Sequence, residues 1–231
     1  MIVVFIILSL LSPPKPDIIG KSISDIYVFD FKGKEFKIMD FSEGKVLILS
    51  PIYTSCPKFC SIITFNIKEA VKKIGGLGEK YKIVSFSFDH RDTVDDLRGF
   101  AQRWDIDGSN WNVVSAKKED IQKLLSSLDF NIEFSEDEIA HPNVFYIITP
   151  DGKISSFLNG ADKIDEKSLK IAIEKAGRGQ VFGIFSKLIS FCYRFNPITG
   201  RYEFDMRIIY HSAGFLAFLI TFVLIFRKFL F

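Results

Sequence analysis

The chain has few of the residues that usually reveal what a protein binds. Its 231 residues include only 3 cysteines and 3 histidines. So few cysteines cannot form a disulfide scaffold, and the fold must rest on a hydrophobic core. Lys and Arg occur only in short clusters, and the formal net charge is +2. The basic stripe expected of a nucleic-acid partner is therefore missing. Neither an internal repeat nor a low-complexity tract is present. What is abundant is apolar: 48% of the residues are hydrophobic and 25 are phenylalanine. That composition fits one ordinary domain with extra segments at its ends and argues against wholesale disorder.

Both ends carry apolar runs. From Ile208 to Phe226 no residue is charged, and a helix of that length reaches roughly 28 Å, about the thickness of a bilayer core. Tyr210 lies near one end, and Arg227 and Lys228 follow the other, which predicts a transmembrane helix with a cytoplasmic tail at 227–231. Met1 to Leu11 resembles the apolar stretch of an export signal, without a preceding Lys or Arg or a small-residue cleavage site. As a helix it would extend only about 18 Å, too short to span. It is read as an uncleaved export segment with a Pro-rich spacer (1–16), the other reading being a chain start placed downstream of the true one.

Between the ends the pattern alternates. Residues 26–41 read as a β-hairpin broken at "KGKE". "KVLILSPI" and "YKIVSFSF" are continuous apolar runs, as strands buried on both faces should be. Helices are predicted from Pro57 to the Gly75–Gly76 pair, from Thr93 as N-cap, over "KKEDIQKLLSSL" and over "DEKSLKIAIEKAG". "WNVVS" reads as a short strand, and "NVFYIITPDGKISSFLNG" as strand, turn and strand. The order ββαβαβαββα predicts an α/β, thioredoxin-like domain over 17–177 with an added N-terminal β-hairpin. Residues 178–207 would join it to the membrane helix, lying on the bilayer surface.

The chemistry centres on "YTSCPKFC", residues 53–60, where the first buried strand runs into a helix. Pro57 suits a first helical turn, and the helix N-terminus favours negative charge, so Cys56 should be the more acidic thiol. Redox enzymes of this fold usually separate their cysteines by two residues; here there are three. Residues i and i+4 share a helix face about 5–6 Å apart, a gap open to a disulfide, to a metal held by both thiolates, or to two unrelated buried thiols. Two soft thiolates suit Cu(I), with imidazole as a third ligand. His141, just before the strand "NVFYIIT", would face the cysteine loop; His90 follows "SFSFD", and His211 sits at the start of the membrane run. Position alone would make His141 an ordinary loop histidine.

Taken together these residues resemble the Sco/SenC family, copper-binding assembly factors for cytochrome c oxidase. "YTSCPKFC" is similar to its T-x-C-P-x-x-C-P signature, and "DHRDT" (Asp89–Thr93) to its D-P-E-R-D-T. His141 stands ten residues before the aspartate of "PDG", the family's spacing for its ligand histidine. "FCYRFNPITGRY" (191–202) resembles the extension of bacterial members that end in a membrane helix. The resemblance implies Cu(I), with Cu(II) also accepted, bound by Cys56, Cys60 and His141, and Asp89 as a supporting residue. Lys58, Ser61 and His90 depart from the pattern, and Ala140 replaces an aspartate that would help orient the histidine ring.

The resemblance implies a membrane-anchored copper metallochaperone on the extracytoplasmic side of the cell membrane. It would deliver copper to the binuclear centre of the oxidase's copper-bearing subunit, and would not be an enzyme in the ordinary sense. Other copper chaperones or thiol reductases would be its further partners. The alternative is a thiol–disulfide reductase that keeps the oxidase's copper-ligand cysteines reduced. Both need Cys56 and Cys60; only the first needs His141. Cys192, flanked by Phe191 and Tyr193, reads as a packing thiol at the membrane surface.

Overall fold

The computed structural model describes residues 14–134, 139–181, 193–196 and 201–204. They fall in two units, Met1–Gly183 and Ile184–Phe231. The first begins with a hairpin, β1 (Tyr27–Asp30) against β2 (Glu35–Lys37). β3 (Val46–Ile52) follows and is buried at every position. It leads into helix α1 (Phe59–Ile74), whose buried Cys60, Ile63, Thr64, Ile67, Ala70 and Val71 recur at helical spacing. α1 stops at Gly75, which takes the positive φ of 65° that a side chain would resist.

β4 (Tyr81–Ser87) is also buried throughout and pairs in parallel with β3, as strands covered on both faces do. α2 (Val94–Arg103) opens with Thr93 and Asp96 in a reciprocal capping box. Then come β5 (Trp111–Ser115) and α3 (Lys118–Ser127). A two-residue pair, β6 (Glu133–Phe134) with β7 (Ile139–Ala140), precedes the hairpin β8 (Val144–Ile148) and β9 (Ile154–Asn159). α4 (Glu166–Gly177) closes the unit.

The main sheet runs β2-β1-β5-β4-β3-β8-β9. Its parallel centre is β5-β4-β3, and antiparallel hairpins extend both edges. The predicted thioredoxin-like order with its extra N-terminal hairpin is therefore the observed one, except that the short pair β6–β7 intervenes between α3 and β8. Two further features were not read from the sequence. Pro57 lies outside α1, before Lys58, so the cysteine loop makes two more residues of irregular chain than a helix starting at Pro57 would allow. The stretch 178–207 contains an antiparallel hairpin, β10 (Tyr193–Asn196) with β11 (Arg201–Phe204). Among the described residues no helix is long and apolar enough to cross a membrane. The apolar run 1–11, Cys192, His211 and the span 208–226 lie outside the described residues.

Candidate metal site

The carboxyl end of β3 delivers the cysteine loop to the start of α1. The Cys56 N–H donates to the Tyr53 carbonyl at 3.2 Å, closing a turn. The Cys60 N–H, in the first turn of α1, donates to Cys56 Sγ at 3.3 Å. Lys58 occupies the formal cap position without a side-chain bond, so the first cysteine supplies an acceptor for one of the helix's otherwise orphaned N–H groups. A sulfur placed there gains from being negative.

The two thiols are consequently unequal. The Cys60 thiol holds Cys56 far below the ordinary thiol range; burial opposes this, and His141 and the backbone N–H groups of Cys60 and Lys58 add to it. Cys60 is pushed well above that range by burial first and by Cys56 second. Both are free thiols, with 9% and 1% of their surface exposed.

His141 comes one residue after β7. The β6–β7 pairing, Glu133 opposite Ala140, fixes the backbone from which it projects. Its ring is 6% exposed and is boxed by Phe88 at 5.3 Å, Tyr53 at 5.7 Å and Phe130 at 6.0 Å between centroids. Nδ1 lies 3.0 Å from the Pro142 carbonyl. That oxygen can only accept, so Nδ1 carries a proton and Nε2 is turned toward the thiols. Nε2 stands 3.9 Å from Cys60 Sγ. A backbone carbonyl thus orients the ring, a task for which Ala140 offers no carboxylate.

The Sγ atoms of Cys56 and Cys60 and a ring nitrogen of His141 all lie within 4.8 Å of one another. Two thiolates about 2.3 Å from one ion stand at most about 4.6 Å apart. The buried donors therefore stand at separations that one thiolate-preferring ion can bridge. Two sulfurs and one nitrogen, with no carboxylate in the set, match a soft metal.

His90 is exposed and outside this cluster, its ring against Phe134. The Asp89 carboxylate, 3% exposed, is bidentate with Arg91 Nε and Nη2. The carboxylate that reaches the cysteine loop is that of Asp92. It accepts from the Thr54 N–H at 3.0 Å and from the Thr54 hydroxyl at 2.7 Å. Sequence reading gave Asp92 no role, nor the aromatic box of Tyr53, Phe88 and Phe130. Asp92 immediately precedes an N-cap, and nothing in its spacing signals a partner thirty-eight residues upstream.

The family model described as SCO1/SenC matches residues 21–175. The SCO1 protein homolog of Bacillus subtilis (strain 168) is 26% identical over 155 residues, which are 62% of this chain and 80% of that protein. Among solved structures, a candidate electron transfer protein of Aquifex aeolicus VF5 is 33% identical with a TM-score of 0.66. That match covers 71% of this chain and 96% of the other. Arabidopsis thaliana ScoI, solved with copper bound, shares the fold at 22% identity and a TM-score of 0.56, over 69% of this chain and 98% of its own.

Proposed function

Because the chain belongs to the SCO1/SenC family, we propose that it is a membrane-anchored copper metallochaperone that carries copper to the binuclear centre of cytochrome c oxidase. The observation that supports this best is the buried convergence of Cys56, Cys60 and His141 donor atoms within 4.8 Å. Copper is the cargo. Cys56, already a thiolate by its surroundings, makes the first bond. Cys60 gives up its proton as it becomes the second ligand, so uptake releases a proton and weakens in acid. The Nε2 lone pair of His141 completes the set. Release proceeds by exchange of thiolate for thiolate with the acceptor, and nothing is turned over. Asp89, which holds Arg91, tunes loading or docking. The domain lies on the extracytoplasmic side, held by the 208–226 span, and the partners are the oxidase subunit and the proteins that supply copper or electrons.

A second reading is favoured by the inequality of the thiols. A low-pKa Cys56 with a buried, protonated Cys60 is the pairing a thiol–disulfide reductase uses. Cys56 thiolate would attack the partner's disulfide and expel one partner thiolate. Cys60, deprotonated, would then close a Cys56–Cys60 disulfide, leaving the partner with two reduced thiols.

Titration with Cu(I) against a competing chelator, with and without His141→Ala, separates the two. Wild type should bind one Cu(I) with sulfur and nitrogen visible in copper-edge X-ray absorption, and the variant should bind at least tenfold more weakly. Sulfur-only ligation in the wild type removes His141 from the site.

A further inference from the structure

We propose that Asp92 is the positioning residue of the metal loop, a clamp that sets where Cys56 stands relative to His141. One carboxylate joins three elements. Oδ2 accepts from the Thr54 N–H at 3.0 Å and from the Ser87 hydroxyl at 2.5 Å, and Oδ1 accepts from the Thr54 hydroxyl at 2.7 Å. Thr54 begins the cysteine loop, Ser87 ends β4, and Asp92 leads into α2. Just behind this point the Phe88 N–H donates to the Ile52 carbonyl at 2.9 Å, so the strand pairing of β3 and β4 hands over directly to the carboxylate.

The need for such a clamp follows from the geometry of the site. His141 is held largely from outside the loop, by Phe88, Phe130 and the Pro142 carbonyl, with Tyr53 at the loop's start completing its box. Cys60 is held by α1. Cys56 is the ligand on irregular chain, and the residues on both sides of it, Ser55 and Pro57, are exposed. Its fixed points are the turn to the Tyr53 carbonyl and the Cys60 N–H. Thr54 is inside that turn, and both its backbone and its side chain end on Asp92. A loop displacement of about 1 Å at a preorganised site is enough to weaken it tenfold or more.

The motif "DHRDT" then divides by task. Asp89 binds Arg91, Asp92 holds the cysteine loop, and Thr93 caps α2. Asparagine at 92 can keep the arrangement, because its Oδ1 accepts from the Thr54 N–H while the hydroxyls rotate to suit the amide. Alanine cannot.

The test compares Asp92→Ala with Asp92→Asn in the full-length protein. In the metal-free protein, amide hydrogen exchange at Thr54 and Cys56 should speed up at least tenfold in Asp92→Ala while the β3 and β4 amides keep their protection. Cu(I) affinity should fall at least tenfold, and Asp92→Asn should restore most of both. Unchanged exchange at Thr54 in Asp92→Ala overturns the clamp. Faster exchange with unchanged affinity overturns the positioning role and leaves a structural bond only. If Asp92→Ala does not fold, Thr54→Val removes the Oδ1 bond alone and should shift both readouts in the same direction; no shift overturns the proposal. The affinity arm rests on the copper reading. A wild-type protein that takes up no Cu(I) defeats that reading, and the exchange arm then decides the clamp by itself.

Discussion

Asp89 and Asp92 show how two carboxylates three residues apart come to do different work. Asp89 is nearly enclosed, and burial alone would raise its pKa. The bidentate hydrogen bonds from Arg91 outweigh burial and hold the carboxyl below its ordinary range. A carboxylate depressed in the folded state stabilises above the unfolded pKa of about 3.9, and that contribution is lost as pH falls through the lower folded value. Arg91 is 63% exposed, so solvent screening limits the pair to about 1 kcal/mol. Asp89→Asn should therefore lower stability at pH 7 by about that amount while the fold is retained. The gap should narrow as the solution is acidified below about pH 4. Urea unfolding of both proteins at pH 7 and in acid checks this. A gap that is constant across that range would show that the ion pair contributes nothing and that Asp89 acts through its shape alone.

At the scale of elements, the site depends on how firmly α1 is seated. Its buried face includes Cys60 and Ile63, and β9 ends against it at Gly160. A Cβ added to Gly160 would come within 2.7 Å of Ile63 Cγ2, a distance that packed side chains do not tolerate. Asn66 on the same helix donates to the Gly160 and Asp162 carbonyls at 2.9 and 3.1 Å, so neither backbone nor helix can easily retreat. Gly160→Ala should cost about 1–3 kcal/mol, read as a lower denaturation midpoint. An unchanged midpoint would mean that α1 can shift freely, and with it Cys60. The order of these elements was legible because each long one carries its own signal: continuous apolar runs for β3 and β4, helical spacing for α1, and Thr93 as N-cap for α2. The pair β6–β7 was not legible. Two residues have no period, yet this pair carries the chain into His141. The convergence of Cys56, Cys60 and His141 was legible through motif and spacing. The aromatic box and the Asp92 clamp were not, since each joins residues distant in sequence through contacts that only the fold creates; nor was the orienting Pro142 carbonyl, a bond between neighbours that depends on how the backbone and ring are turned.

For the whole molecule, the proposed function turns on which side of a membrane the thiols face. A chaperone for the oxidase's binuclear centre must work where that centre is exposed, outside the cytoplasm. The run 208–226 carries no charge, and Arg227 and Lys228 follow it directly, the arrangement that holds a short tail in the cytoplasm. The third cysteine then belongs to the same problem. Cys192 precedes the span, between Phe191 and Tyr193, with no further Cys, His or Met within ten residues. Its sequence neighbourhood thus offers a soft metal no second donor, and a small apolar thiol beside aromatic residues suits packing at an interface. Cys192→Ser should accordingly leave the copper stoichiometry unchanged, and mass spectrometry of the oxidised protein should show no disulfide from Cys192 to Cys56 or Cys60. An alkaline phosphatase fused after Phe231 should be inactive, because that enzyme matures only outside the cytoplasm. An active fusion would place the tail outside. It would then put Cys56, Cys60 and His141 on the side where glutathione keeps thiols reduced and no oxidase copper centre waits to be filled.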